Sequence, residues 1–376
     1  MNGIYYYLIA FFAIWVLVSI FRDRLENYGV EVSFPIIMWK TKRLRGLISK
    51  ISNFSPTFWK WYMNVGIFVA FGAMVFIVWT LISSIPSALE TPSVSIVIPG
   101  VDVPGSSIYV PFVYGWIALI TVLVVHEFSH GILAIREKIS VKSIGLLLFA
   151  IIPGAFVEPD EDELKKADRP SRLRVYVAGS VANISLALIA IILVSLMSAG
   201  IPHYFAEDGI AINRIVPDSP SDGILKDGMV IESIDNHVIN DSKSYTDVIS
   251  SFKPGDNVSV KTDQGTYSVV LAKNPNNESV GYFGIQAVKN FKLIDNSLGP
   301  IPWALFELLE LFEWIFMLNL GIGLFNLLPI RYLDGGHMIE TLLSYKFSEK
   351  QYMPLVNSLS IVLVLVIVFS LLVGFI

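Results

Sequence analysis

The chain contains no cysteine. That excludes disulfides, thiolate metal ligands and a cysteine nucleophile, so any metal site has to be built from histidine and carboxylates. Charge is also scarce: 16% of the 376 residues are Asp, Glu, Lys or Arg, and the formal net charge is −5. So weak a balance gives no footing for nucleic acid. Lysine and arginine are missing altogether from 86–110, between two apolar runs. What remains is hydrocarbon. Hydrophobic residues make up 54% of the chain, the mean hydropathy is +0.62, and the apolar residues gather into long runs. This is the composition of an integral membrane protein whose surroundings are a lipid bilayer.

Six segments approach the roughly 20 residues that a bilayer crossing needs: 4–21, 63–85, 111–134, 175–199, 303–328 and 353–376. The first lacks a basic leading region and ends in Phe21-Arg22-Asp23-Arg24, so it reads as a retained span and not as a cleaved signal peptide. Basic residues set the orientation. Segment 22–62 holds eight, among them Lys40, Lys42, Arg43 and Arg45, and segment 136–174 holds eight more. The positive-inside rule makes both cytoplasmic and 86–110 external. The third span then runs inward, and 200–300 lies outside the cytoplasm, as do both termini. This gives two N-terminal spans (1–85) with a cytoplasmic loop (22–62), a core in two parts (111–200 and 303–340) and a last span (353–376).

Segment 140–157 is apolar but short for a span, and Gly145, Pro153 and Gly154 interrupt any helix there. It reads as a re-entrant β hairpin, with an interfacial loop as the alternative. The acidic run Glu158–Glu163 that follows reads as a solvated helix start. Residues 205–288 change character. Turn signals such as Lys253-Pro254-Gly255-Asp256 separate alternating stretches such as Asn257-Val258-Ser259-Val260-Lys261, the pattern of a small water-soluble β-rich domain inserted between spans four and five. The expected fold class is therefore a polytopic α-helical membrane protein with six transmembrane helices and an inserted extracytoplasmic β-rich domain.

Chemistry enters in the third span. His126-Glu127-Phe128-Ser129-His130 lies within almost unbroken hydrocarbon. Histidines four apart share a helix face and can hold one metal ion, and Glu127 stands where a general base for water belongs. Ionisable groups are expensive in lipid, so three together imply function more strongly than the bare pattern does. A third ligand is still required. Asp334, in Leu333-Asp334-Gly335-Gly336-His337, follows the cytoplasmic end of span five and so falls at the depth of His126; His337 is the second candidate. Asn183 points an amide into the bundle, either towards a substrate strand or oxyanion, or into an interhelical hydrogen bond. Asn326 carries the same alternatives. The ligand types suit one Zn2+ per chain, though other ions accept such ligands.

Together, His126-Glu127-Phe128-Ser129-His130, Asn326-Leu327-Leu328-Pro329 and Leu333-Asp334-Gly335 resemble the motifs of the site-2 protease family of intramembrane zinc metalloproteases, peptidase family M50, over roughly 111–340. The resemblance implies His126, His130 and Asp334 as zinc ligands and Glu127 as catalytic base. Asn183 is similar to the asparagine of the family's Ala-Gly-Pro-x-x-Asn pattern, with Ser180 where many members have proline. Residues 205–288 resemble a circularly permuted PDZ domain through Ser219-Pro220 and Gly223–Ile231, with Tyr282, Phe283, Gly284 and Ile285 as the loop that would capture a peptide. A rigid cap that filters substrates by size is the alternative for this domain. The function implied is hydrolysis of transmembrane protein substrates, already trimmed by another protease. A metal transporter and a membrane scaffold that recruits partners through its PDZ-like domain are the rivals; neither accounts for Glu127 beside two ligand-spaced histidines.

Overall fold

The computed structural model describes residues 3–41, 44–87, 94–104, 106, 108–275 and 277–373. Lys42 and Arg43, residues 88–93 of the expected outer loop and the last residues of the expected sixth span lie outside them. The chain divides into two compact units, residues 1–195 with 307–376, and residues 196–306.

The first unit begins with α1 (Ile4–Ile20), α2 (Arg22–Asn27), β1 (Val30–Ser33), β2 (Ile36–Thr41), α3 (Arg45–Phe54) and α4 (Pro56–Ser83). It continues through α5 (Phe112–Arg136), β3 (Val141–Phe149), β4 (Ile152–Pro159), α6 (Glu161–Lys166) and α7 (Arg169–Tyr204). Among the described residues, five helices are long and apolar enough to cross a membrane: α4, α5, α7, and two later ones at Ile301–Asn326 and Glu349–Val373. The expected first span, α1, is a 17-residue apolar helix, shorter than those five, and Phe21 separates it from the charged helix α2.

The interrupted segment 140–157 forms an antiparallel hairpin of β3 and β4, with Phe149 opposite Ile152. The sheet is larger than the sequence suggested. β1 and β2, within the stretch read only as a cytoplasmic loop, extend it to four strands in the order β1-β2-β3-β4. β2 pairs with β3 from Ile36↔Phe149 to Thr41↔Ile144. Phe34, Trp39, Leu146, Phe149 and Ile152 of this sheet are exposed, so it presents hydrocarbon where a soluble protein would present polar groups. Asp160 caps α6 by accepting from the backbone N–H groups of Asp162 and Glu163, which makes the acidic run a helix start.

The second unit holds β5 (Phe205–Ile215), β6 (Val230–Ile234), β7 (His237–Val238), α8 (Ser242–Ile249), β8 (Asn257–Thr262), β9 (Gly265–Val270), β10 (Ala272–Asn274), β11 (Asn277–Tyr282) and β12 (Ile285–Leu293). Its main sheet has the order β12-β5-β6-β8-β9, with β7 beside β6. In β8 exposed and buried residues alternate, so Val258 and Val260 join Ile212, Met229, Ile231 and Phe283 in one core. The expected boundary at 288 falls inside β12, which runs on to Leu293.

The chain returns to the first unit in α9 (Ala304–Asn326) and closes with α10 (Asp334–Leu343) and α11 (Glu349–Val373). Pro329 cannot extend α9, since it lacks an N–H and disfavours helix at the residue before it. The turn of residues 327–333 redirects the chain into α10. Gly335 and Gly336 allow this turn, because a Cβ at either would strike the backbone of Leu327, Leu328 or Ile330.

A core of Ile48, Met63, Leu133, Val157, Val177, Leu327 and Met338 surrounds the junction of α5, α7 and α10. A buried ion pair fixes that junction: Arg174 Nε donates to Glu137 Oε1 at 2.8 Å, with side chains 11% and 5% exposed. Arg174 Nη1 also donates to Asn64 Oδ1 at 3.0 Å. Burial pushes the Glu137 carboxyl up, but hydrogen bonds from Arg174 and Ser171 outweigh it and hold the group below its ordinary value. The pair is thus intact at neutral pH and is lost only as pH falls through that lowered value. Arg174→Ala leaves a buried carboxylate unpaired and is expected to cost about 3–5 kcal/mol, read as a lower unfolding midpoint of the solubilised protein at neutral pH.

Candidate metal centre

α5 presents His126 and His130 from one face, and α10 brings Asp334 against them. His130 Nε2 lies 3.4 Å from Asp334 Oδ1, His126 Nε2 lies 3.6 Å from Asp334 Oδ2, and the two Nε2 atoms are 3.2 Å apart. Among the described residues these three form the one histidine–carboxylate group compact enough to hold a metal ion. Asp334 opens α10 in its first turn, where the helix dipole favours negative charge.

The donor set fits a tetrahedral ion. Nitrogen and oxygen ligands at about 2.0–2.2 Å from zinc stand about 3.3–3.6 Å from one another, which matches the observed separations. The hydrogen bonding fits too. His130 Nδ1 is 2.8 Å from the Val175 carbonyl oxygen. A carbonyl only accepts, so Nδ1 carries a proton, and in that tautomer the Nε2 lone pair is available to an ion beside Asp334.

α7 lies directly behind this group and supplies its polar support. Besides the Val175 carbonyl, Ser180 Oγ donates to Asp334 Oδ2 at 2.8 Å, and the Asn183 amide stands 3.3 Å from His126 Nδ1. Gly179 is required between them. A Cβ there would fall 2.5 Å from His130 Nε2 and 2.6 Å from His126 Cε1, filling the space into which the rings project. Glu127 sits alongside, and its Oε2 accepts from the backbone N–H of Val157 in β4 at 2.9 Å.

Of the other expected site residues, Asn183 alone meets a ligand, at His126. His337, the second candidate ligand, turns away: its ring stacks on Tyr176 at 4.9 Å, and Nδ1 faces Glu340 at 3.6 Å. Asn183 is fully buried. Asn326 ends α9, partly buried. Tyr282, Phe283, Gly284 and Ile285 belong to the second compact unit, where Phe283 is a core residue whose carbonyl accepts from Ser221 N–H. Ile285 opens β12, an edge strand of the main sheet.

Sequence reasoning missed the supporting groups. Ser180 reads as a small residue for close helix packing, and a backbone carbonyl such as that of Val175 leaves no mark in side-chain identity. The available signal was the spacing of Val175, Gly179 and Asn183, each four residues apart and so on one face of α7. Asn319 was also missed: wholly buried in α9, it donates to Thr121 Oγ1 of α5 at 2.9 Å, tying those helices together.

The profile of peptidase family M50 matches residues 114–367. An uncharacterised protein of Methanocaldococcus jannaschii is 31% identical over 61% of this chain and 57% of its own length. A membrane-bound transcription factor site-2 protease homolog of Arabidopsis thaliana is 27% identical over 41% of this chain and 29% of its own. The membrane metalloprotease ARASP, chloroplastic, from the same plant is 24% identical over 60% of this chain and 68% of its own. The chain thus spans little more than half of the first of these relatives and under a third of the second. Among solved structures, the PDZ domain of an SdrC-like protein from Listeria innocua is 28% identical over 21% of this chain and 93% of its own, with a TM-score of 0.20. The corresponding domain from Listeria monocytogenes is 26% identical over 22% of this chain and 88% of its own, also at 0.20.

The Gly179 geometry makes a direct prediction. Gly179→Ala forces His126 and His130 apart, and zinc affinity of the purified protein, measured by chelator competition, is expected to fall at least about tenfold.

Proposed function

This chain belongs to peptidase family M50, and from that premise we propose that it is a zinc-dependent endopeptidase that cuts transmembrane segments of other proteins. The observation that carries the reading is the convergence of His126, His130 and Asp334 beside the carboxylate of Glu127. Zinc held by those three residues supplies a Lewis acid for the scissile carbonyl and makes water acidic enough to lose a proton near neutral pH. The protein does the rest. Glu127 accepts the proton of the attacking water and returns it to the leaving amine. Val157 N–H occupies Oε2, which leaves Oε1 for the proton.

Helical substrates hide their carbonyls in internal hydrogen bonds, so the scissile stretch has to unwind and be held extended. β4 suits that task. It pairs with β3 on one side only, and backbone groups of an antiparallel strand turn alternately to its two edges. Since Val157 N–H faces Glu127, Ala155 turns its N–H and C=O towards the same open edge, where a substrate strand can add. Asn326, at the end of α9, is assigned to the same strand as an amide partner. The exposed apolar side chains of the sheet support a position at membrane depth. In the second unit, the Tyr282–Ile285 loop and the open edge of β12 form the peptide-docking element of a PDZ-like domain that selects or filters substrates already trimmed by another protease. By the distribution of lysine and arginine, that domain and both termini lie outside the cytoplasm and the metal centre near its inner face.

Glu127→Gln keeps the ligands and removes the base. Incubated with a single-span substrate in detergent or liposomes, this variant is expected to bind one zinc per chain and to cleave more slowly by at least about 10²–10⁴-fold. Cleavage at the wild-type rate would overturn the assignment.

A further inference from the structure

The side chains behind the metal ligands form a set of their own. α7 contributes no ligand, yet one face of it touches all three. Val175 accepts from His130 Nδ1 at 2.8 Å, Ser180 donates to Asp334 Oδ2 at 2.8 Å, and Asn183 meets His126 Nδ1 at 3.3 Å. Ser180 and Asn183 are completely buried, which keeps them from substrate and leaves the ligands as the groups they can act upon.

We propose that Ser180 and Asn183 are positioning residues that set the metal affinity of the site: Ser180 by fixing the Asp334 carboxylate, Asn183 by fixing the His126 ring. The proposal rests on the metalloprotease reading above and deepens it. For Ser180 the bond has one sense, because a carboxylate only accepts. It engages Oδ2 and leaves Oδ1, the oxygen 3.4 Å from His130 Nε2, with its lone pairs free. The hydroxyl thereby selects which oxygen is offered as a ligand and restrains the carboxylate from turning.

For Asn183 the argument comes from the tautomer of the His126 ring. As placed, the amide nitrogen faces His126 Nδ1, and the amide oxygen is buried with no hydrogen-bond partner. The two ends of an amide are exchanged by a half-turn. With its oxygen turned to the ring, the amide accepts from Nδ1–H and leaves the Nε2 lone pair of His126 free for the ion, the tautomer that a ligand binding through Nε2 requires. Hydrogen-bond partners of ligands typically govern metal affinity by about 10–100-fold.

The test is zinc affinity of the full-length, solubilised protein by competition with a chelator, with monodispersity and helical content checked for each variant. Ser180→Ala and Asn183→Leu are each expected to weaken zinc by about tenfold or more, and Asn183→Asp, which keeps an acceptor, to restore it. In an Asp334→Ala background Ser180→Ala is expected to cost nothing further, because the acceptor it holds is gone. Wild-type affinity in both Ser180→Ala and Asn183→Leu would overturn the proposal. So would an equal loss from Ser180→Ala with and without Asp334, which would mark a packing effect. A wild-type chain that takes up no zinc would instead overturn the metalloprotease reading, and this proposal with it.

Discussion

Two imidazoles and a carboxylate, drawn from α5 and α10, have to meet in apolar surroundings and stay aligned. Asp334 stands 3.4 Å from His130 and 3.6 Å from His126, and the inserted second unit lies between them in sequence. Unpaired ionisable groups in such a place are costly, and a bound cation offsets the cost only if the ligands are held in position. The rest of the first unit serves that requirement. Pro329 and the Gly335–Gly336 pair bring α10 back against the end of α9. Gly179 lets α7 approach close enough to back both histidines. The Arg174–Glu137 pair clamps α7 to the end of α5.

The same packing relates the ligands to a strand. Glu127 is one residue from His126, so it leaves the helix on a different face and meets the backbone of β4. A general base and the open edge of a sheet are thus fixed to each other by a single hydrogen bond. An extended peptide seated on that edge would lie beside the base without any rearrangement of α5. On the proposed reading, the chemical step and the holding of an unwound substrate would share this one local structure.

Much of this was legible in the residues alone. His126, Glu127 and His130 declare themselves because charge is so rare around them, and Asp334 follows from the sidedness of the apolar runs. The turn residues Gly145, Pro153 and Gly154 marked segment 140–157 as non-helical, and it forms a hairpin. What escaped was non-local. β1 and β2 carry a weak strand signal, and they become part of a four-stranded sheet only because β3 offers an edge to them. Ser180 and Val175 act through a hydroxyl and a carbonyl whose partners come from other helices, so no local pattern reveals them. Val288 reads as the end of a domain, although β12 runs on through Lys289 and Lys292 to Leu293.

The central claim is that two histidines and one aspartate of this membrane-embedded unit bind a catalytic zinc ion. X-ray absorption at the zinc edge, on the intact purified protein with metal content determined in parallel, tests it most directly. One zinc per chain, with two imidazole nitrogens and only oxygen besides at about 2.0–2.2 Å, is the predicted result, with an imidazole lost when His130 is replaced by alanine. A chain that is proteolytically active without bound metal, or whose zinc keeps the same shell in that variant, would contradict the account.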